Sequence, residues 1–274
     1  MEFVIFLRTA FRTLLFGFRL LKRLNISRQI TKVKSGDALT ILANGPSLKN
    51  DIDDIDLTCG DFSVLNDFNL SPLYKKIKPS YYVLADPYYF LCNDSIMPFI
   101  NGVDWKMKLI VPYSAWKKLE ILRDLPNKNV EVIPFHTVEY DGFECFRNWI
   151  YKKGLAMPRV QNVLALSIFS AINLGYKKIK LYGVDHSWTE CIRVNSLNEV
   201  CQINAHFFDT AEVELSPWKK CSGEQYKMHE ILRDLSNMFE SYHLLKRYSD
   251  YMGSKIINCT KDSFIDAFER NENC

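Results

Sequence analysis

The sequence lacks several features that would assign it to a class at once. No C-x-x-C pair occurs among its eight cysteines, so neither a zinc site nor a thiol-disulfide motif is present, and a reduced environment is the simplest expectation. The 35 lysines and arginines nearly balance the 32 aspartates and glutamates, and a net charge of +3 argues against nucleic acid as the main partner. No P-loop is present. No stretch of about 20 uncharged apolar residues occurs, so no segment is expected to span a bilayer.

The composition that is present is typical of a folded protein. The chain has 274 residues, of which 47% are hydrophobic and 24% are charged, enough for one large domain or two small ones. Its N-terminus lacks the basic region, unbroken apolar core and cleavage site of a signal peptide. We therefore expect a cytoplasmic protein.

Residues 1–26 predict an amphipathic helix with one cationic stripe. At about 100° per residue, the five cations fall within an arc of roughly 100°, and nearly all the remaining circumference is apolar. They are Arg8, Arg12, Arg19, Lys22 and Arg23. Such a helix suits the surface of an anionic membrane, and its apolar face is wider than one packing contact usually covers. Packing against the rest of the chain or against a second subunit is the alternative. Residues 27–36 are expected to be a linker.

Short strand-like runs alternate with helical stretches over residues 37–274. The runs are 37–43, 61–65, 81–85, 108–111, 130–134, 178–182 and 255–258. Residues 162–174 predict a buried helix that ends at Gly175, and residues 225–252 predict a long amphipathic helix. The alternation predicts an α/β fold with a mostly parallel, Rossmann-like sheet and helices on both faces.

Polar residues follow four of the predicted strands, at the sheet edge where ligands of such folds bind. They are Asn44, Gly45, Pro46 and Ser47 after the first strand, Asn66 after the second, Asp86 after the third, and Gly183, Asp185 and His186 after the sixth. In the first loop, Gly45 would let the backbone approach a ligand, and Ser47 would cap a helix whose N–H groups face an anion. These are also ordinary turn residues, so phosphate binding is one of two interpretations.

Several of these segments resemble one family. Ile41–Lys49, Asn66, Ala85–Pro87, Arg159 and Leu174–Asp185 occur in the order found in bacterial CMP-sialic-acid-dependent sialyltransferases of the variant GT-A fold, over roughly residues 37–260. The wider group also contains MptE-like 6-hydroxymethylpterin pyrophosphokinases and motility-associated glycosylation factors. The resemblance implies a GT-A-like domain with a lid at about residues 187–223. It also implies inverting transfer from a nucleotide-activated, CMP-linked sugar.

The resemblance also implies a donor site. Asn44 and Gly45 would contact the nucleotide phosphate, and Asn66 and Asp86 would face the donor. Arg159 would be a donor-site cation, with Asn162 in place of a serine of the family. Gly183 and Asp185 would line the nucleoside. Two positions depart from the family: Asp86 replaces an asparagine, which changes the donor contact, and His186 follows Asp185 where the family has a tyrosine.

A histidine is expected to take the proton of the acceptor hydroxyl. In the family this base lies beyond the lid and just before the final helix, which points to His229. His206 and His186 are the other candidates. No metal site is assigned, since the D-x-D spacings of residues 51–56 are read as a solvated acidic turn and the family resembled needs no metal. Asp185 with Asp209 is the alternative pair, and Mg²⁺ is possible but not required.

Three functions remain open at this point. The first is a glycosyltransferase at the cytoplasmic face of the membrane that acts on a glycan or lipid-linked acceptor of the lipopolysaccharide type. The second is a pyrophosphokinase that uses ATP with Mg²⁺ and stacks a pterin on Trp188, Trp218 or Tyr182. The third is a non-catalytic, nucleotide-binding scaffold in polysaccharide assembly. A homo-oligomer is compatible with each of them.

Overall fold

The computed structural model describes residues 2–21, 37–58, 60–159, 162–203, 207, 215–220 and 222–270. The predicted linker (residues 27–36), the candidate base His206 and the candidate metal ligand Asp209 therefore lie outside the described residues.

Eight of the described strands form one parallel sheet. In chain order, the strands are β1 (Ala38–Leu42), β2 (Asp61–Leu65), β3 (Tyr81–Val83), β4 (Met107–Pro112), β5 (Val130–Phe135), β6 (Lys178–Tyr182), β7 (Arg193–Val194), β8 (Val200–Gln202), β9 (Ser216–Pro217), β10 (Lys255–Asn258) and β11 (Glu269–Arg270). The large sheet has the order β11-β10-β6-β1-β2-β3-β4-β5, and each neighbouring pair in it is parallel. Strands β7, β8 and β9 form a small antiparallel sheet.

Helices connect and cover the strands. They are α1 (Glu2–Leu21), α2 (Leu48–Asp51), α3 (Leu73–Ile77), α4 (Asn93–Ile96), α5 (Tyr113–Lys118), α6 (Glu144–Lys152), α7 (Val163–Leu174), α8 (Trp188–Cys191) and α9 (Met228–Met252). Short 3-10 turns occupy Ile52–Asp54, Asn66–Leu70, Pro87–Phe90, Met97–Phe99 and Glu120–Leu122. The expected α/β fold, with a parallel sheet and helices on both of its faces, is confirmed.

The two long central helices begin and end where their sequences indicate. The side chain of Asn162 accepts a hydrogen bond from the Ala165 N–H at 3.1 Å, which caps α7, and Gly175 ends this helix with a φ of 98°. Helix α7 is buried almost all round, as its apolar sequence predicts. Helix α9 begins where the Lys227 N–H donates to Glu230 Oε2 at 2.9 Å, and it ends at Gly253.

The strand order around β1 and β6 leaves space for a ligand. From β1 the chain adds β2, β3, β4 and β5 on one side, and β6 then pairs with β1 on the other side. Neighbouring loops therefore diverge at the carboxyl ends of β1 and β6 and leave a crevice between them. Residues on one sheet face pack against α7 and α9, and those on the other pack against residues of α2, α3 and α4.

Helix α1 packs on the segment that follows β5. Phe16 is buried against Tyr140 and Phe146, with ring centroids 4.7 and 6.3 Å away, and the hydroxyls of Thr13 and Tyr140 are 2.6 Å apart. Phe6 contacts Phe143 at 5.5 Å. The packing alternative from the sequence is therefore correct for one face of this helix. Within the described residues, no helix is long and apolar enough to cross a membrane.

One cysteine departs from the expected reduced state. Cys259 is disulfide-bonded. Cys92, Cys145, Cys191 and Cys201 are free thiols. The expectation of a reduced chain is therefore wrong for Cys259.

Candidate functional site

A cavity of about 580 Å³ lies at the carboxyl ends of β6, β1, β2 and β3. Its described lining consists of Ala43, Asn44, Gly45, Pro46, Leu65, Asn66, Asp67, Ala85, Asp86, Pro87, Tyr89, Asn162, Val163, Leu164, Gly183, Asp185, His186, Ser187, Trp188, Cys191 and Ile203. The loops after these strands and the N-terminus of α7 supply most of these residues. A volume of this size falls in the usual range for small-molecule sites, about 300–1,000 Å³.

Two glycines let the loops after β1 and β6 touch each other. The Gly45 N–H donates to the Gly183 carbonyl at 2.9 Å. A Cβ on Gly45 would lie 1.8 Å from Asp185 Oδ2, and a Cβ on Gly183 would lie 2.8 Å from the Ala43 carbonyl oxygen. Gly183 also has a φ of 66°. Gly45 lines the cavity, and its lack of a side chain also makes room for Asp185.

Asp185 is held by the loop after β1. Its Oδ1 accepts from the Ser47 N–H at 3.0 Å, and its Oδ2 accepts from the Ser47 hydroxyl at 2.8 Å. Ser47 makes no side-chain cap for α2, so the predicted capping role is wrong. The backbone N–H groups of Leu48 and Lys49 donate within the same loop. The anion that meets the Ser47 N–H is thus the protein's own carboxylate.

Two asparagines that line the cavity have buried side-chain oxygens without a hydrogen bond in the described structure. Asn44 Nδ2 donates to the Leu65 carbonyl at 3.1 Å, which leaves Asn44 Oδ1 buried without a hydrogen bond in the described structure. Asn66 Oδ1 is also buried and unpaired, and Asn66 has a left-handed φ of 43°. A buried acceptor without a partner costs about 1–3 kcal/mol, so both oxygens favour a ligand that donates hydrogen bonds.

His186 lines the cavity, and its buried ring belongs to a hydrogen-bond network. The Tyr242 hydroxyl lies 2.5 Å from His186 Nε2, and Asn162 Nδ2 donates to the same hydroxyl at 2.7 Å. Burial lowers the pKa of His186 to about 3, although a hydrogen bond with the Val184 backbone opposes this shift. The ring is therefore neutral, and its Nε2 accepts a hydrogen bond from the Tyr242 hydroxyl. This engagement makes His186 a poor general base and a suitable support for Asn162.

The described lining is acidic. Asp67, Asp86 and Asp185 line the cavity, and no lysine or arginine stands among the described lining residues. Asp86 is exposed, and its Oδ1 accepts from the Tyr88 N–H at 2.9 Å. In the part of the chain that the structure describes, no three His, Cys, Asp or Glu side chains are grouped so as to hold a metal ion.

The structure brings together most of the predicted donor-site residues. Lining the cavity are Asn44, Gly45, Pro46, Asn66, Asp86, Asn162, Gly183, Asp185 and His186, with Ser47 bonded to Asp185. Arg159 is not in this described lining, and its Nε instead lies 3.3 Å from Glu139 Oε2. His229 is also absent from it and is exposed in the first turn of α9.

Several lining or supporting residues were not assigned to the donor site from the sequence. Asp67 and Tyr89 belong to the loops after β2 and β3, where the rule that ligands bind at strand ends points to them. Trp188 lines the cavity, and its ring lies 4.6 Å from that of His186. Tyr242 has no sequence signal, because it is one more apolar-face residue of α9 until its hydroxyl meets His186.

Comparisons with known proteins give remote structural similarity. No family model and no curated protein matches the chain. Among solved structures, the α-2,3-sialyltransferase Cst-I of Campylobacter jejuni matches 88% of this chain and 82% of its own, with a TM-score of 0.48 and 17% identity. The sialyltransferase CstII of the same organism, solved with cytidine-5'-monophosphate, matches 85% and 84%, with a TM-score of 0.40 and 14% identity.

A third structure is the MAf glycosyltransferase of Magnetospirillum magneticum AMB-1. It matches 89% of this chain with a TM-score of 0.47 and 13% identity, and the chain spans 35% of that enzyme's length. Similarities of this size concern the course of the backbone and leave open what this chain binds.

Proposed function

We propose that this protein is a glycosyltransferase that binds a nucleotide-activated, CMP-linked sugar in the cavity after β6, β1, β2 and β3. The observation that carries the proposal is the convergence of Asn44, Asn66 and Asp185 on one cavity at the point where the strand order reverses. These residues also belong to the segments by which the sequence resembles sialyltransferases. The reaction would be direct displacement at the anomeric carbon, with inversion.

The hydrogen-bonding character of the cavity suits a nucleoside. Asn44 Oδ1 and Asn66 Oδ1 are unpaired acceptors, and the Asp185 carboxylate retains acceptor capacity beyond its two bonds to Ser47. Ribose hydroxyls and the cytosine amino group supply donors of the required kind. We assign these three side chains to the nucleoside rather than to the phosphate, since acceptors repel a phosphate oxygen.

The catalytic base is proposed to be His206. Phe207, its neighbour in sequence, is buried against Phe68 with ring centroids 5.5 Å apart, and its N–H donates to the Asn44 carbonyl at 3.0 Å. His186 is neutral and engaged with Tyr242, and His229 is exposed outside the described cavity lining. Of the three histidines that the sequence offers, we therefore propose His206, which precedes Phe207 in the chain.

Thermal unfolding with CMP, CDP, UDP, GDP and ATP, each with and without Mg²⁺, tests the donor proposal. A ligand that binds only the folded state raises the melting temperature by mass action. CMP without metal should stabilise the wild type and fail to stabilise Asn44→Ala, whereas Asn101→Ala, which changes an exposed asparagine, should behave like the wild type. Selective stabilisation by ATP with Mg²⁺ would instead favour a pyrophosphokinase, with Trp188 as a stacking surface at the cavity.

A transfer assay separates an enzyme from a nucleotide-binding scaffold. His206→Ala should retain CMP-induced stabilisation and lose release of CMP from a CMP-sugar. CMP binding without release or transfer by the wild type would favour the scaffold. We propose that EDTA leaves the activity unchanged, as in the family that the sequence resembles. Retained anomeric configuration in the product would contradict direct displacement.

We also propose that α1 holds the protein on the anionic cytoplasmic face of a membrane, where a lipid-linked acceptor is found. The side chains of Leu7, Phe11, Leu14, Leu15 and Phe18 are 50, 63, 61, 42 and 63% exposed. At about 100° per residue they share an arc of about 100° on the side opposite the contacts made by Thr13 and Phe16. This face would enter the headgroup region.

Sedimentation with anionic vesicles tests the membrane proposal. The double variant Phe11→Ser and Phe18→Ser should lose most of its vesicle binding. Leu232→Ser, which removes a half-exposed leucine from α9, is the matched control and should bind as the wild type does. Equal binding of all three proteins would refute the proposal.

A further inference from the structure

Partly exposed aromatic side chains lie beside the contact between α1 and the segment that follows β5. Trp149 of α6 stacks on Phe146 at 5.9 Å, and Phe146 in turn meets Phe16 of α1 edge-on. At the other end of the contact, Phe143 packs on Phe6 of α1. Trp149 nevertheless remains 47% exposed and Phe143 37% exposed. Phe143 and Trp149 thus add partly exposed aromatic surface next to α1.

The charges around these aromatic residues are arranged asymmetrically. Asp141 and Glu144 lie 3.5 and 3.9 Å from the guanidinium of Arg147, which is buried. Lys152 and Lys153, at the C-terminal end of α6, are exposed, and neither makes an ion pair with a described residue. The buried arginine therefore offsets one of these two acidic charges, while two lysines face solvent.

The segment that leads into α6 leaves the same sheet edge at which the cavity lies. Tyr140 and Phe143 belong to the segment that leaves the carboxyl end of β5, and the cavity lies at the carboxyl ends of β6, β1, β2 and β3. All these strands are parallel, so both features lie at one edge. Strand β5 is two places from β3, which is roughly 10 Å at the usual strand spacing.

We propose that α1 and α6 form one docking surface for an anionic lipid bilayer, with Phe143 and Trp149 in the headgroup region and Lys152 and Lys153 beside the lipid phosphates. A partly exposed tryptophan flanked by lysines is the side-chain pattern of a membrane interface. A second copy of the chain fits less well, because a twofold contact through α1 would bring two cationic stripes together. Two rigidly connected helices then fix the cavity close to the bilayer, where a lipid-linked acceptor reaches it. This inference rests on the membrane part of the proposed function.

The test uses the full chain and vesicles of phosphatidylcholine with phosphatidylglycerol. The double variant Phe143→Ser and Trp149→Ser should bind about tenfold more weakly than the wild type, since it removes two interfacial aromatics. Leu232→Ser should bind normally. Both changed residues are partly exposed, and a thermal melt confirms that the variants fold. If the wild type and the double variant bind the vesicles equally well, this inference alone is overturned. If the wild type does not bind the vesicles, the membrane proposal is overturned as well.

A second readout locates Trp149 directly. Vesicles that carry brominated lipids should quench the tryptophan fluorescence of the wild type more than that of Trp149→Phe. Equal quenching of both proteins would contradict insertion of Trp149. Sedimentation equilibrium without lipid provides a further check, because a dimer that the double variant abolishes would assign the surface to a second copy and overturn the inference. CMP-induced stabilisation should be the same in all these proteins, so failure of the donor proposal is recognised separately.

Discussion

Folding stability should fall as the pH is lowered below about 7, because His186 cannot accept a proton in the folded state. Its pKa is about 3 in the folded protein, since the ring is buried, against about 6.5 in an unfolded chain. Between these values the unfolded state binds one more proton than the folded state. The folded state therefore loses about 1.4 kcal/mol relative to the unfolded state between pH 7.5 and 5.5.

Urea unfolding at pH 7.5 and 5.5 measures this difference. His186→Asn suits the comparison, because asparagine tolerates the left-handed φ of 55° at this position. The variant should be less stable at pH 7.5 but should lose about 1.4 kcal/mol less than the wild type on going to pH 5.5. Leu232→Ser changes a half-exposed leucine, leaves every histidine in place and should keep the wild-type pH dependence. Parallel pH profiles for the wild type and His186→Asn would refute the reasoning.

Three further substitutions test the geometry of the cavity. Gly45→Ala places a Cβ 1.8 Å from Asp185 Oδ2, so it should cost about 1–3 kcal/mol in the free energy of unfolding by urea and weaken CMP binding. Gly17→Ala is the control, because a Cβ at Gly17 would meet no atom within 4 Å beyond its chain neighbours and its own helix backbone. Equal stability of the two variants would contradict the tight contact at Gly45. Tyr242→Phe removes the hydroxyl at the centre of a buried network and should cost about 1–3 kcal/mol; an unchanged urea midpoint would count against the network. Asp86→Asn removes one negative charge and should tighten CMP binding about two- to fivefold by calorimetry, whereas weaker binding would make Asp86 a ligand contact.

The fold was largely predictable because its strands and central helices carry strong patterns. Strands β2 and β6 have the predicted limits, and α7 ends at the predicted glycine. The small sheet of β7, β8 and β9 was not predicted, since strands of two or three residues are too short for any periodicity. Helix α9 begins three residues later than its apolar pattern suggests, at the point where Glu230 accepts from the Lys227 N–H.

The composition of the site was more predictable than its contacts. Parallel strands bring their carboxyl ends to one edge, so the residues after β1, β2, β3 and β6 were expected to meet. Which of them bond to each other is a property of distant pairs: Ser47 and Asp185 are 138 residues apart, and His186 and Tyr242 are 56 apart. A loop sequence therefore indicates a turn able to bind an anion without showing that a carboxylate of the same chain occupies it.

The charge of the cavity constrains how the proposed reaction can proceed. The described lining contributes Asp67, Asp86 and Asp185 but no lysine or arginine, and residues 204–214 contain neither of these cations in their sequence. Negative charge that grows on a departing phosphate would then be offset by hydrogen-bond donors rather than by a fixed cation. A histidine that takes the proton of the acceptor hydroxyl acts on the face of the sugar opposite the departing phosphate, because the displacement inverts the anomeric carbon. Loss of the proposed base, His206, should therefore lower transfer more than it lowers CMP binding.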